Sequence, residues 1–374
     1  MDNKRPTWAE IDLAAIKNNL ECIRNVLSPK SRIMAVVKAD AYGHGMKEIS
    51  CTCVEEGVDF LAVATLDEAM QLIKYGVKAT ILVLGYIPRH LAQIVVNYGI
   101  RTSVYDLPFA QSLSAAAQAL GKPAHIHLKI DTGMGRIGFA PLEESLTIIQ
   151  EIAALPGINL EGIFTHFTEA DSENDDYSMI QYSAFKDFNR ELASRGIEIP
   201  LQHCANSAAI FRYPETHLDL VRAGIVLYGL YPSPFMKKSM NLGIKPAMRL
   251  KSRISMVKKL ASGHGVSYGR THICSQDTWV ATIPIGYADG YSRAFSNRAW
   301  AMIKGKKAHS LGVVCMDQCM FDIGGREDIV EGDEAVLFGT EADGITADDL
   351  ALIANTINYE IVCSVSSRVP RIYV

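Results

Sequence analysis

Eight short β-branched runs, each followed by a helix-length amphipathic stretch, constrain this chain more than any single motif. The runs are Ile33–Val37, Phe60–Ala64, Ala79–Leu84, Arg101–Tyr105, Ala124–Ile130, Leu160–His166, Ile199–His203 and Leu220–Tyr228. Stretches such as Leu66–Tyr75, Arg89–Tyr98, Leu107–Leu120, Leu142–Ala154 and Met179–Ser194 lie between them. Strands alternating with helices pair in parallel through right-handed crossovers. Eight is the number that closes a (β/α)8 barrel within ~250 residues.

From about Met240 the texture changes. Leu250–Lys258, Thr278–Ile283, Trp300–Ile303, Ala308–Val314, Met320–Ile323 and Glu334–Phe338 read as strands with Gly-rich turns, and Thr346–Ile357 as one helix. The fold class is therefore α/β plus β. A TIM-type barrel domain is expected over 1–239 and a mostly β domain over 240–374, joined near Pro232–Met240. The first strand-like residues are free to pair with the C-terminal domain. At 374 residues the chain exceeds what one core of ~250–300 residues holds, which also asks for two domains.

Charge narrows the partner. A net charge of −4 gives no reason to expect nucleic acid or an anionic membrane, so a small molecule is expected. The N-terminal M-D-N-K-R-P-T-W-A-E-I-D-L has no apolar leader, and no run approaches the ~18 apolar residues of a membrane span. A cytoplasmic protein is expected. Its eight cysteines are dispersed without C-x-x-C spacing and read as reduced thiols.

Side chains at the carboxyl ends of barrel strands converge on one mouth. Those ends carry Lys38, Lys129 with Arg136 in the next loop, His166, His203 with Asn206 and Ser207, and Arg222. The set is cationic and hydrogen-bonding, which suits an anionic ligand better than a metal. Each could also be a solvated loop charge; five of eight strands contributing is harder to explain that way.

The densest stretch is Met34–Gly45, M-A-V-V-K-A-D-A-Y-G-H-G. Lys38 at the end of its apolar run is either a solvated strand end or an amine whose pKa a dry pocket lowers. A second loop, D-T-G-M-G-R-I-G-F over Asp131–Phe139, contains a literal G-x-G-x-x-G. Alone it would support dinucleotide binding, but it follows the fifth strand of the series instead of opening a βαβ unit, and it holds Met134 and Arg136 at variable positions. A third, H-C-A-N-S-A-A followed by R-A-G-I-V-L-Y-G, sits after strands seven and eight, where barrels hold phosphate.

With T-W-A-E-I-D-L before it, the Lys38 stretch resembles the alanine racemases, which use pyridoxal 5′-phosphate (PLP) on a barrel domain. The resemblance runs from Thr7 to Arg371 and includes V-S-Y-G (Val266–Gly269), G-Y-A-D-G-Y (Gly286–Tyr291), C-M-D-Q (Cys315–Gln318) and I-N-Y-E (Ile357–Glu360). It implies a Schiff-base lysine at Lys38 and a second base at Tyr268. Tyr268 would need a positive neighbour to lower its pKa, with Arg136 and His166 as candidates. It also implies cofactor contacts from Tyr42, His166, Ser207, Gly224, Ile225 and Tyr359, with Arg222 facing the pyridine nitrogen. Arg136, Tyr287, Met316 and Asp317 would lie by the substrate, and Lys129 matches a position that some members carry as a carbamate.

The implied assembly is a homodimer with shared active sites, in which Tyr268, Tyr287 and Met316 reach into the partner's barrel. No metal is implied. The implied reaction is interconversion of L- and D-alanine. The close alternative is a serine or dual alanine/serine racemase, which could be the soluble module of a larger membrane-anchored enzyme. A PLP decarboxylase would not explain V-S-Y-G and C-M-D-Q, and a cofactor carrier on a lone barrel would leave the β domain without purpose. Two departures from the family pattern bear on substrate: Val313 stands after Gly312 where members usually have arginine, and Phe167–Asp171 reads F-T-E-A-D instead of F-A-T-A-D.

Overall fold

Residues apolar on both faces of a strand must be covered on both faces, and that requirement organises the larger part of the chain. The computed structural model describes residues 5–174 and 176–374; the first four residues of the stretch read for a leader lie outside them. After β1 (Thr7–Ile11) come β2 (Arg32–Val36), β3 (Phe60–Val63), β4 (Thr80–Val83), β5 (Arg101–Val104), β6 (Ala124–Lys129), β7 (Ile158–Phe164), β8 (Leu201–His203) and β9 (Leu220–Ala223). β3 and β9 are buried along their whole length.

Strands β2 to β9 form one parallel sheet in the order β8, β7, β6, β5, β4, β3, β2, β9. Its two ends meet through Asp219 N–H to Gln202 O at 3.1 Å and Arg222 N–H to Ala205 O at 3.0 Å, so the barrel is nearly closed. The fold class read from the sequence is the one observed.

Local signals set the helices between strands. Thr65 and Glu68 form a capping box at the start of Leu66–Lys74, satisfying orphan N–H groups there. Leu107–Leu120 begins at Asp106, whose Oδ1 accepts from Phe109 N–H at 2.8 Å, and stops at Gly121 with φ of 61°.

The chain divides into two compact units. The barrel unit is Lys17–Ala41 with Met46–Ile244; the β unit takes the stretch up to Ile16, Tyr42–Gly45 and Lys245–Val374. In the β unit the strands are β10 (Met248–Arg253), β11 (Met256–Leu260), β12 (Gly265–Val266), β13 (His272–Ile273), β14 (Thr278–Ile283), β15 (Trp300–Ile303), β16 (Lys306–Leu311), β17 (Cys319–Asp322), β18 (Glu334–Phe338) and β19 (Arg371–Tyr373). All but β12 and β13, which pair with each other, form a nine-stranded sheet in the order β11, β14, β17, β16, β15, β18, β10, β1, β19. There β1 runs antiparallel to β10 and parallel to β19.

Among the differences from the sequence expectation, the stretch read as one helix over Thr346–Ile357 is helical over Ala347–Ala354 and is followed by a second helix, Asn358–Ser364, and two of the runs change shape. Leu220–Tyr228 is strand only to Ala223, because Gly224 turns the chain and Ile225–Tyr228 winds into a 3-10 turn. Leu250–Lys258 splits because its first part pairs with β1 and β18 while its second pairs with β14. Among the described residues, no helix is long and apolar enough to cross a membrane.

Candidate active site

Lys38 lies just beyond the end of β2, half-buried, and opens a turn of unusual hand. Ala39, Asp40, Ala41 and Tyr42 all have φ of 52–53°, a left-handed turn made of four residues that carry a Cβ. Each costs roughly 1–2 kcal/mol there, so the surroundings must hold the turn. Ala39 N–H donates to Glu68 Oε1 at 2.7 Å, Ala41 N–H to Val37 O at 2.9 Å, and Met46 N–H to Asp40 Oδ1 at 2.7 Å. Gly43 follows with φ of 80°, and a Cβ there would lie 2.3 Å from Val362 O. Strain held this firmly beside a lysine is characteristic of functional sites.

The other cations come from neighbouring strand ends. Lys129 ends β6, buried, with Nζ donating to Ile130 O at 2.6 Å; burial, then Arg222, lowers its pKa to about 8 against the pull of Asp131. The Asp131–Phe139 loop closes on itself through Asp131 N–H to Phe139 O and Phe139 N–H to Lys129 O, both 2.8 Å. The Asp131 carboxylate accepts from Gly133 and Gly135 N–H at 3.1 Å each. No helix opens at this glycine loop, so it lacks the N-terminus that a dinucleotide pyrophosphate uses. Arg136 projects from it, exposed.

Arg222, buried in β9, spans three strand ends. Its NH2 donates to Thr165 O at 2.7 Å and Cys204 O at 3.0 Å and lies 3.2 Å from His166 Nδ1; its NH1 donates to His203 O at 3.1 Å and His203 Nδ1 at 2.9 Å. Burial lowers its pKa to about 10, which leaves it charged at neutral pH. His166 is held neutral: burial pushes its pKa well below 6.5, and Arg222, Arg136, Lys129 and Lys38 push the same way. Four cations thus act on one imidazole. Of the two candidates for a positive neighbour to Tyr268, His166 is disfavoured as a cation by its burial and by those neighbours.

After β8, Ser207 begins a short helix capped by Asn206, whose Oδ1 accepts from Ala209 N–H at 3.1 Å. Gly224 N–H donates to Ser207 Oγ at 3.0 Å, which leaves the Ser207 hydroxyl hydrogen to be given to an anion. Ile225, next in chain, is buried.

The β unit gathers the remaining motifs. Ser267 Oγ donates to Val313 O at 2.6 Å; Tyr287 N–H donates to Cys315 O and Ala288 N–H to Met316 O, both at 3.1 Å. A Cβ on Gly286 would lie 2.2 Å from Cys315 O, so G-Y-A-D-G-Y and C-M-D-Q meet backbone to backbone. Ser267 itself has φ of 63°, a second strained residue beside a candidate base. Tyr268, Met316 and Tyr287 are 69%, 52% and 40% exposed. Asp317 pairs with Arg368 at 2.7 Å. Tyr42 and Tyr359 lie with ring centroids 6.2 Å apart, and burial, then Cys363, raises the Tyr42 phenol.

Two residues stand outside the sequence expectations. Glu68 joins its capping box to the Lys38 turn, and the box itself (T-x-x-E) was its only signal. His127, fully buried in β6, was signalled by an imidazole alternating with apolar residues in A-H-I-H-L-K.

Comparison with known proteins adds to this geometry. Family models described as alanine racemase, N-terminal domain, and alanine racemase, C-terminal domain, match residues 11–232 and 247–373. An alanine racemase of Clostridium perfringens (strain SM101 / Type A) is 50% identical over 371 residues, covering 99% of this chain and 95% of that protein. The solved structure of an alanine racemase from Clostridium difficile 630 superposes with a TM-score of 0.94 at 43% identity, covering 99% of this chain and 96% of that one. A histidine racemase from Leuconostoc mesenteroides subsp. sake NBRC 102480 also superposes, with a TM-score of 0.90 at 30% identity, covering 100% and 99%.

Proposed function

The chain belongs to the alanine racemase family and is an amino-acid isomerase, and from that premise we propose that it interconverts L- and D-alanine with PLP in a two-base reaction. The observation that carries this proposal is the group of four cations around His166, with buried Arg222 paired to carbonyls and imidazoles. Such a set fits an anionic cofactor with a phosphate and an aromatic nitrogen. When bound, PLP would withdraw electrons from the substrate and acidify its α-hydrogen.

Lys38 would hold the cofactor and, once displaced by substrate, take or return the α-proton on one face. Tyr268 of the partner subunit would serve the opposite face; its exposure supports a role met outside its own unit. Arg222 can only donate, so it would bond an unprotonated ring nitrogen and keep the withdrawal of electrons shallow. A shallow sink favours prompt return of the proton to carbon over side reactions. Ser207, Gly224 and Ile225, with Tyr42 and Tyr359, would hold the phosphate, while Arg136 would take the substrate carboxylate. Tyr287, Met316 and Asp317 would border the entry route, and Lys129, with a pKa of about 8, would supply enough neutral amine to form a carbamate with carbon dioxide.

Loss of optical rotation, measured on a panel of single enantiomers, tests the proposal. Alanine should turn over fastest, with serine within ~10²-fold because an apolar pocket rejects an added hydroxyl weakly. Lysine and glutamate should be poor, since their charges would be buried unpaired. A kcat/KM for serine above that for alanine would overturn the assignment of substrate and favour the reading in which Val313 eases entry of a polar side chain.

A further inference from the structure

Among the described residues no carboxylate touches Arg222, yet its hydrogen bonds lead to one. His203, which accepts from Arg222 at Nδ1, has Nε2 2.9 Å from His127 Nδ1. His127 Nε2 lies 3.2 Å from Glu161 Oε2, and Glu161 accepts from Arg101 Nε at 2.9 Å and NH2 at 2.8 Å. Both ends of this run are fixed, because a guanidinium only donates and an ionised carboxylate only accepts. His203 must therefore be bare at Nδ1 and carry its hydrogen on Nε2, and the same assignment passes to His127. Any other neutral tautomer leaves two donors or two acceptors face to face.

The strands are shaped around this run. Pairing of β6 with β7 steps from Ile126–Leu160 to His127–Gly162, so Glu161 is the extra residue of a β-bulge, a device that re-aims side chains near functional sites. A Cβ on Gly162 would lie 2.3 Å from His127 Nδ1, so glycine alone leaves room for the ring. Phe164 stacks on His203 with centroids 4.8 Å apart and 4° between the planes. Burial works to raise the Glu161 pKa, but hydrogen bonds from His127 and Arg101 outweigh it and hold the carboxyl at about 2. Burial first, and the nearby arginines, keep both imidazoles below the usual histidine range.

We propose that Glu161 is the remote counter-charge of Arg222, acting through His127 and His203 to fix the direction in which the guanidinium donates, and is thereby a positioning residue for the reaction. Every hydrogen in the chain points from the arginine toward the carboxylate, so successive bonds polarise one another. The catalytic consequence rests on Arg222 facing the cofactor ring, as proposed above; the tautomers do not.

Long-range proton–nitrogen NMR of holoenzyme labelled with [15N]histidine reads the tautomers, with His127→Asn and His203→Asn assigning the signals. Both rings should be uncharged with hydrogen on Nε2 across the neutral range. In Glu161→Gln, whose amide can present N–H to His127, the single tautomer of His203 should be lost and kcat should fall about tenfold with KM for alanine unchanged. Gly162→Ala, which displaces the His127 ring but leaves Glu161 and Arg101 in place, should do the same. A charged His203 or hydrogen on its Nδ1 in the unsubstituted enzyme would overturn the proposal, as would Glu161→Gln with unaltered tautomers and kcat. The NMR needs no turnover, so failure of the alanine assignment would show in the optical assay and leave this result standing.

Discussion

The two units solve opposite problems. The barrel mouth takes charges out of water and braces them: Arg222 spends its donors on carbonyls and imidazoles, Lys129 on a carbonyl, and the Lys38 turn is held by Glu68. Its titrations are displaced accordingly. The β unit folds V-S-Y-G, G-Y-A-D-G-Y and C-M-D-Q backbone to backbone and then leaves Tyr268, Tyr287 and Met316 exposed. One unit has built an environment around its charged groups, whereas the other leaves exposed the side chains proposed above to react. A protein that pays for burying cations gains by having them meet an anion.

The largest effect that would break this contrast is at Lys38. Lys38→Ala should abolish turnover, and borohydride treatment of the unsubstituted enzyme should fix cofactor to the peptide containing Lys38. Attachment at another lysine would remove the barrel mouth from its assigned role. Next in size is Tyr268→Phe, expected to cost ~10²–10⁴-fold in racemisation. Solvent exchange of the α-hydrogen should then persist from one enantiomer only; equal loss from both would make the exposed tyrosine structural.

A smaller effect sharpens the barrel side. The folded pKa of Lys129, about 8, lies below its ordinary 10.5, so between those values the unfolded chain binds more protons than the folded one. Stability should therefore rise with pH across that window, by up to roughly 3 kcal/mol, as the cost of burying the ammonium is relieved. Chemical denaturation at a series of pH values, in buffer free of carbon dioxide so that the amine stays uncarbamylated, should show this rise in the unsubstituted protein and lose it in Lys129→Met. The same slope in both would mean that Lys129 is not the buried cation described.

The contrast also explains what could be read from the sequence. Eight apolar runs at regular spacing were legible because burial on both faces leaves no choice of residue, and the cations at their ends followed from parallel topology alone. Motif resemblance pointed to Tyr268 and Tyr287, which spacing could not have distinguished from ordinary hairpin tyrosines. Residues whose importance depends on a neighbour's hydrogen were not legible. Glu161 occupies a bulge that appears only when β6 and β7 are paired. The left-handed turn after Lys38 is written in A-D-A-Y, a sequence that locally prefers the opposite hand, so only Glu68 and the packing beyond it reveal the conformation.

The central claim is that the braced cations of one subunit are completed by the exposed tyrosine of another, and subunit mixing tests it most directly. Inactive Lys38→Ala and inactive Tyr268→Phe proteins, exchanged to form heterodimers, should regain up to about half the activity of an unsubstituted dimer, because one site receives both lesions and the other neither. No recovery after demonstrated exchange would contradict it.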